Sequence, residues 1–321
     1  MTDPHLDPDP DPGPVLVTGV GGAAGIAVLR ALAGSRPTVG ADCDPLAAGL
    51  HLADDAGVLP RADDPTFVEH LLKLAARTGA TTLVCTVAEE LPALDAARTE
   101  LDRAGLRHWL PSAAAVAASV DKWAFAQACA AVGVPTPATG DATADGVPGP
   151  WIVKPRNGRG SRDVHACDDA AELAWALARV PEPIVQTRLT GTEFTVDVLV
   201  DRDGTLAGAV PRWRLVTKAG ISTVGRTFDA PDVVAGVAAL LAAVGLTGPA
   251  CVQGFVAEDG TFAFTEVNPR FSGGLPLSLA AGADLVGEYV RGADGLAVRP
   301  QRLVHRPGVT MMRHYAEVYT G

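Results

Sequence analysis

The chain has 321 residues, 48% hydrophobic and 20% charged. At roughly 150 residues per domain, that is material for about two packed domains and excludes a fibrous or disordered protein. The formal net charge of -11 and the pI near 5.0 oppose general binding to phosphate backbones, so no nucleic-acid partner is expected. The mean hydropathy of +0.20 comes from alanine. No run approaches the roughly 18 to 20 apolar residues of a spanning helix, so no membrane role is expected either.

The opening MTDPHLDPDPDPG alternates Asp and Pro, lacks the basic and apolar regions of a secretory signal, and reads as a disordered tail over residues 1–13. Five widely spaced cysteines fit neither a disulfide framework nor a CxxC metal site and read as buried thiols of a cytoplasmic protein. Only four of the 26 basic residues are lysines (Lys73, Lys122, Lys154 and Lys218), so each remaining lysine is a candidate for a role that arginine cannot fill.

The apolar run Val15-Leu16-Val17 predicts a strand that enters Gly19-Val20-Gly21-Gly22-Ala23-Ala24, with a helix over 26–33 and a second strand over 38–41 ending at Asp42. Glycines after a strand and before a helix, with an acid about 20 positions on, suit a dinucleotide site; they equally suit a tight turn that packs strand on helix. A helix over 65–78, a strand over 81–87, a helix over 89–104 and a strand over 107–110 complete a doubly wound unit covering 14–115.

A helix over 121–132 begins at the N-cap Asp121 and stops at Gly133. Beyond Trp151 the pattern changes to strands over 151–154, 184–188, 193–200, 205–210, 250–257 and 261–267, with Asp203-Gly204 and Asp259-Gly260 as hairpin turns. Helices are expected over 168–179, 230–244 and 275–290. The fold class is α/β plus α+β: a Rossmann-like domain, then an α+β domain over 116–321 whose two subdomains divide near residue 188.

Two constellations carry chemistry. Lys154 ends a buried strand and runs into Arg156-Asn157-Gly158-Arg159-Gly160-Ser161; a cation beside a flexible loop of free amides suits nucleotide phosphates. In Phe264-Thr265-Glu266-Val267-Asn268-Pro269-Arg270, Glu266 and Asn268 alternate along a strand and share one face. A carboxylate and an amide there, with an arginine just beyond, suit Mg²⁺ held against phosphates, and Gln253 lies on a preceding strand that could pair beside them.

In order along the chain, VLVTGVGGAAGIAVLRAL (15–32), DKWAFAQACAAVGVPTP (121–137), WIVKPRNGRGSRDV (151–164), VQTRLTGTEFTVDVLVDRDG (185–204), and CVQGFV with FTEVNPRFSGG (251–274) resemble the ATP-grasp superfamily. The similarity is to the branch of the carbamoyl-phosphate synthase large subunit and its short relatives, and it extends over 14–321. It implies a pre-grasp domain and two subdomains holding ATP between them, and a first glycine turn that lines the active site without holding NAD.

By the same resemblance, Lys122 and Lys154 contact ATP phosphates, and Gly158, Gly160 and Ser161 cover them. Gln186 and Leu189 belong to the adenine hinge, although the hinge commonly carries an acid where this chain has Gln186. Glu193 matches the ribose carboxylate. Glu266 and Asn268 match the Mg²⁺ ligands, with Gln253 a further candidate and Mn²⁺ an acceptable substitute. Arg270 matches the arginine that meets charge in phosphoryl transfer.

The implied activity is an ADP-forming ligase that joins a small carboxylate to an amine through an acylphosphate, on an amino acid or small peptide. A carboxylate kinase or carbamoyl-phosphate-type half-reaction is the alternative within enzymes; a nucleotide-binding module without turnover is the alternative outside them. For the substrate carboxylate, Arg212 and Arg214 on one face of a strand, with Lys218 and Ser222 in the following loop, are the candidate acceptors; a salt-bridged exposed strand explains the arginines equally well. The apolar helices of the first domain leave room for a homodimer.

Overall fold

The computed structural model describes residues 12–158 and 162–320. Most of the expected 1–13 tail, and Gly160 and Ser161 of the glycine loop, lie outside the described residues. The chain forms two compact units.

The first unit comprises residues up to Trp109 together with Val290–Leu296 and the residues from Val318 on. Its elements run β1 (Val15–Thr18), α1 (Ala23–Leu32), β2 (Thr38–Asp42), β3 (Asp55–Val58), α2 (Phe67–Thr78), β4 (Thr82–Val84), α3 (Leu91–Ala96) and α4 (Arg98–Arg103). All pairings are parallel, in the order β3-β2-β1-β4. Every residue of β1 is buried, which is why a central strand reads as an unbroken apolar run.

α1 starts inside the glycine motif, with Gly22 as N-cap, three residues before the expected Ile26. α2 buries Phe67, Leu71, Leu74 and Ala75, a single helical stripe, and stops at Gly79 with φ +69°. The helix expected over 89–104 breaks at Ala97 into α3 and α4. The strand expected over 107–110 is reduced to one bridge between Thr82 and Arg107.

Residues 290–296 belong to this unit because they satisfy its polar groups. Arg36 Nη1 lies 2.5 Å from Asp294 Oδ2, Thr82 Oγ1 donates to Asp294 Oδ1 at 2.6 Å, and Arg107 Nε lies 3.1 Å from the same oxygen. The Trp109 ring lies so close to Gly292 that a Cβ there would meet it at 2.2 Å.

The second unit comprises Leu110–Tyr289 and Ala297–Glu317. It opens with α5 (Ala113–Val120) and α6 (Lys122–Ala131), capped by Ser112 and Asp121 respectively. A four-stranded antiparallel sheet follows, formed by β5 (Thr139–Gly140), β6 (Trp151–Pro155), β7 (His165–Cys167) and β8 (Pro183–Thr187) in the order β5-β8-β6-β7, with α7 (Ala170–Leu177) between β7 and β8.

The larger sheet contains β9 (Thr192–Val200), β10 (Leu206–Lys218), β11 (Ile221–Thr227), β12 (Gly248–Val256), β13 (Phe262–Asn268) and β14 (Thr310–Met312). Its antiparallel order is β13-β12-β9-β10-β11-β14. α8 (Pro231–Val244) precedes β12, and α9 (Leu275–Ala280) and α10 (Leu285–Ala293) replace the single helix expected over 275–290. Phe194, Val196, Val198 and Val200 alternate along β9 into one core with Val233, Val237 and Leu240 of α8. Among the described residues no helix is long and apolar enough to cross a membrane.

Candidate functional site

The second unit holds a cleft of about 640 Å³. Ile152 and Lys154 of β6 and Gln186 and Thr187 of β8 line it from the smaller sheet; Glu193, Arg214, Gln253, Glu266 and Asn268 line it from the larger one. The volume is in the range of small-molecule and cofactor sites.

Its basic side is built from two buried lysines, each 8% exposed. Lys122 opens α6, and its Nζ donates to the Gly158 carbonyl at 2.9 Å. Burial lowers the pKa of Lys122, against the opposing pull of Glu266 and Asp121. Lys154 is pushed down to about 8 by burial, which outweighs the attraction of Glu266 and is reinforced by Lys122. Two partly dry ammonium groups that act on each other and share Glu266 form a site suited to an anion such as a phosphate chain.

On the facing strands Glu266 is registered opposite Gln253, and Asn268 Nδ2 donates to Glu266 Oε1 at 3.1 Å. Arg270 Nη1 donates to the Phe271 carbonyl at 2.8 Å, leaving the guanidinium on the cleft wall. Among the described residues no group of three or more His, Cys, Asp or Glu could hold a metal by itself. One carboxylate and two amide oxygens suit Mg²⁺ when phosphate oxygens and water complete the shell, so the donor set fits an ion shared with a nucleotide.

At the hinge, Gln186 is buried and its Nε2 donates to Thr139 Oγ1 at 2.9 Å. Thr187 Oγ1 donates to the Pro148 carbonyl at 2.8 Å, Arg188 pairs with Asp168, and Leu189 lines the cleft. Glu193 lies on the wall, but Arg214 Nε is 2.9 Å from its Oε2. Two residues assigned to different ligands are thus one ion pair.

Three of the four acceptor residues stand elsewhere. Arg212 is 2% exposed; its Nε donates to Asp197 Oδ2 at 2.9 Å, and its Nη2 to Asp197 Oδ1 at 3.1 Å and Ser272 Oγ at 2.9 Å. Three of the five N–H groups of this buried guanidinium are thus taken up by Asp197 and Ser272, and Arg212 is directed to the interior and not to the cleft. Ser222 belongs to β11, not to a loop, and its buried hydroxyl donates to the Val224 carbonyl at 3.0 Å. Lys218 ends β10, with its exposed Nζ 3.4 Å from the Tyr315 hydroxyl. None of the three lines the cleft; Arg214 does. Arg162 and Arg188 also line it. No motif assigns either of them a role, although Arg188 lies in the unusual hinge.

The first glycine motif, in the other unit, has a packing explanation. The amide of Gly21 donates to Asp42 Oδ2 at 2.7 Å, so the acid expected to face a ribose closes its own loop. A Cβ on Gly25 would lie 2.4 Å from the Gly19 carbonyl, and one on Gly49 2.1 Å from that of Val20. These glycines permit backbone-to-backbone contact.

Residues 15–108 match the family described as the PylC-like N-terminal domain. Residues 179–317 match the family described as ATP-grasp in the biosynthetic pathway with Ter operon. An uncharacterized protein, y4rH of Sinorhizobium fredii (strain NBRC 101917 / NGR234), is 31% identical over 205 residues, covering 54% of this chain and 42% of the relative. The chain therefore spans less than half the length of that curated relative. Among solved structures, biotin carboxylase from Campylobacter jejuni superposes with a TM-score of 0.72 at 16% identity, over 91% of this chain and 73% of the other. The biotin carboxylase domain of Hydrogenobacter thermophilus 2-oxoglutarate carboxylase, solved with MgADP and bicarbonate, gives 0.71 at 20%, over 91% and 72%. L-amino acid ligase from Bacillus licheniformis gives 0.69 at 16%, over 88% and 74%. At these identities the structures establish a shared fold.

Proposed function

We propose that this chain, whose residues 179–317 match an ATP-grasp family, is an ADP-forming ATP-grasp ligase joining a small carboxylate to an amine, on an amino acid or small peptide. The observation that carries this reading is the convergence of Lys122, Lys154, Glu266, Asn268 and Arg270 on one cleft. That set can neutralise and orient a triphosphate, and the reaction class requires nothing more from the protein.

In the proposed reaction a carboxylate oxygen of the acid attacks the γ-phosphorus of ATP. The bond from that phosphorus to the bridging oxygen breaks, giving an acylphosphate and ADP. The amine then adds to the acyl carbon, phosphate leaves with the C–O bonding pair, and the nitrogen loses a proton. Lys122 and Lys154 hold the phosphate chain, and Arg270 meets the charge that develops on the transferring group. Glu266, Asn268 and Gln253 would hold Mg²⁺, which when bound screens the phosphates from one another and from the incoming carboxylate. Glu193 orients the ribose, with Arg214 fixing its carboxylate, and the segment around Gln186 and Leu189 receives the base.

A cytoplasmic location and small-molecule partners belong to the same proposal, supported by five free cysteines, four of them buried. The test is ADP release by the purified protein with MgATP against pools of amino acids and small carboxylates, with hydroxylamine present to trap an acylphosphate. ADP and a hydroxamate that depend on one acid are the expected result. Glu266→Ala is expected to lower turnover at least a hundredfold, the scale on which catalytic electrostatics is felt; full turnover in that variant would overturn the metal assignment.

A further inference from the structure

Asp121 and Arg156 do not line the cleft, yet each adjoins a segment that carries one of its lysines. Asp121 caps α6, accepting from the amides of Trp123 and Ala124, and so fixes the helix turn that begins with Lys122. Arg156 lies two residues beyond Lys154, at the start of the glycine loop. Its Nε donates to both Asp121 oxygens at 2.8 Å and its Nη2 to Oδ2 at 2.6 Å. The backbone repeats the connection, because the amide of Lys122 donates to the Arg156 carbonyl at 3.1 Å, while the Arg156 amide donates to the Glu182 carbonyl at 2.9 Å. Lys122 Nζ then reaches Gly158 in the same loop.

We infer that the Asp121–Arg156 pair is a positioning clamp: it holds the start of α6 against the end of β6, and thereby sets the spacing of Lys122 and Lys154 for a nucleotide's phosphates. The inference rests on the ligase reading above. The Arg156 side chain is 44% exposed and that of Asp121 20%. A pair this open to water contributes only modestly to stability even when two-pronged, so a purely structural role would show as a small loss in unfolding with MgADP affinity unchanged. A positional role shows in affinity, because phosphate binding depends on where the two ammonium groups stand.

The test is calorimetric titration with MgADP, paired with thermal unfolding, on wild type, Asp121→Asn, Arg156→Ala, Arg156→Lys and the double variant Asp121→Asn/Arg156→Ala. Asparagine caps a helix as well as aspartate does, so Asp121→Asn loses the charge and keeps the cap. Arg156→Ala is expected to weaken MgADP about tenfold while its unfolding midpoint stays within about 4 °C of wild type. Arg156→Lys is expected to recover part of the loss, since it restores the charge without the fork. The double variant is expected to bind no worse than Arg156→Ala. Wild-type affinity in Arg156→Ala, or losses that simply add in the double variant, would overturn the clamp alone. A wild type that binds no MgADP would overturn both the clamp and the ligase reading.

Discussion

Glu90 is an acid in a nearly dry place, 8% exposed at the end of the buried sheet of the first unit. Thr18 Oγ1 donates to its Oε2, and the Cys85 thiol donates to the same oxygen at 3.3 Å. Burial raises its pKa from 4.5 to about 7, partly offset by those two donors and reinforced by Asp42 and Glu89. The unfolded chain therefore releases this proton near pH 4.5 and the folded chain only near pH 7. Between those values the folded state binds more protons, so Glu90 makes stability fall as pH rises, by about 3 kcal/mol in all. Glu90→Gln is expected to match wild type in urea midpoint near pH 4.5 and to exceed it at about pH 8. A difference between the two proteins that does not change with pH would refute the shift.

At the scale of elements, β9, β10 and the turn into α9 meet in a buried polar cluster. Asp197 accepts from Arg212 and, at 2.6 Å, from the Ser278 hydroxyl. The attraction and hydrogen bonds of Arg212, with those of the serines, hold the Asp197 pKa below the usual range despite complete burial. Arg212→Ala strips the partner from a buried carboxylate and is expected to cost roughly 3–5 kcal/mol in urea unfolding. Arg212 and Arg214 share a strand face, yet Arg214 meets the cleft and Arg212 the interior. Arg214→Ala is accordingly expected to weaken MgADP binding with a smaller loss of stability, and the contrast between the two variants checks both assignments.

For the molecule as a whole, a unit that is continuous in space is discontinuous in sequence. Asp294 is joined to Arg36, Thr82 and Arg107, all three of which belong to the first third of the chain. Asp294→Ala leaves Arg36, whose side chain is 10% exposed, without its carboxylate. It is expected to cost roughly 3 kcal/mol, seen in hydrogen exchange as faster exchange in β1 and β4 with β9 and β10 unchanged. Equal loss of protection in all four strands would refute the placement of residues 290–296 in the first unit. The cleft of Lys122, Lys154 and Arg270 sits in a chain of net charge -11, so the overall charge opposes non-specific binding of long polyanions while the local charge suits a small anion.

Features whose physics is local are legible in the order of the amino acids alone. The two-residue period of a strand puts Glu266 and Asn268 on one face wherever that strand goes, and a helix N-cap puts Asp121 next to Lys122. The unbroken apolar run of β1 required burial on both sides. Partnership across space is different, because it depends on register and on which segments return to which core. Register brought Gln253 opposite Glu266 and joined Glu193 to Arg214. Burial paired Arg212 with Asp197, loop closure engaged Asp42, and the return of residues 290–296 gave the first unit the carboxylate of Asp294. Sequence thus decided the chemistry available to the cleft, through periodicity along single elements; tertiary packing decided which groups remain free to use it, because a charge is spent or spared according to what lies across from it.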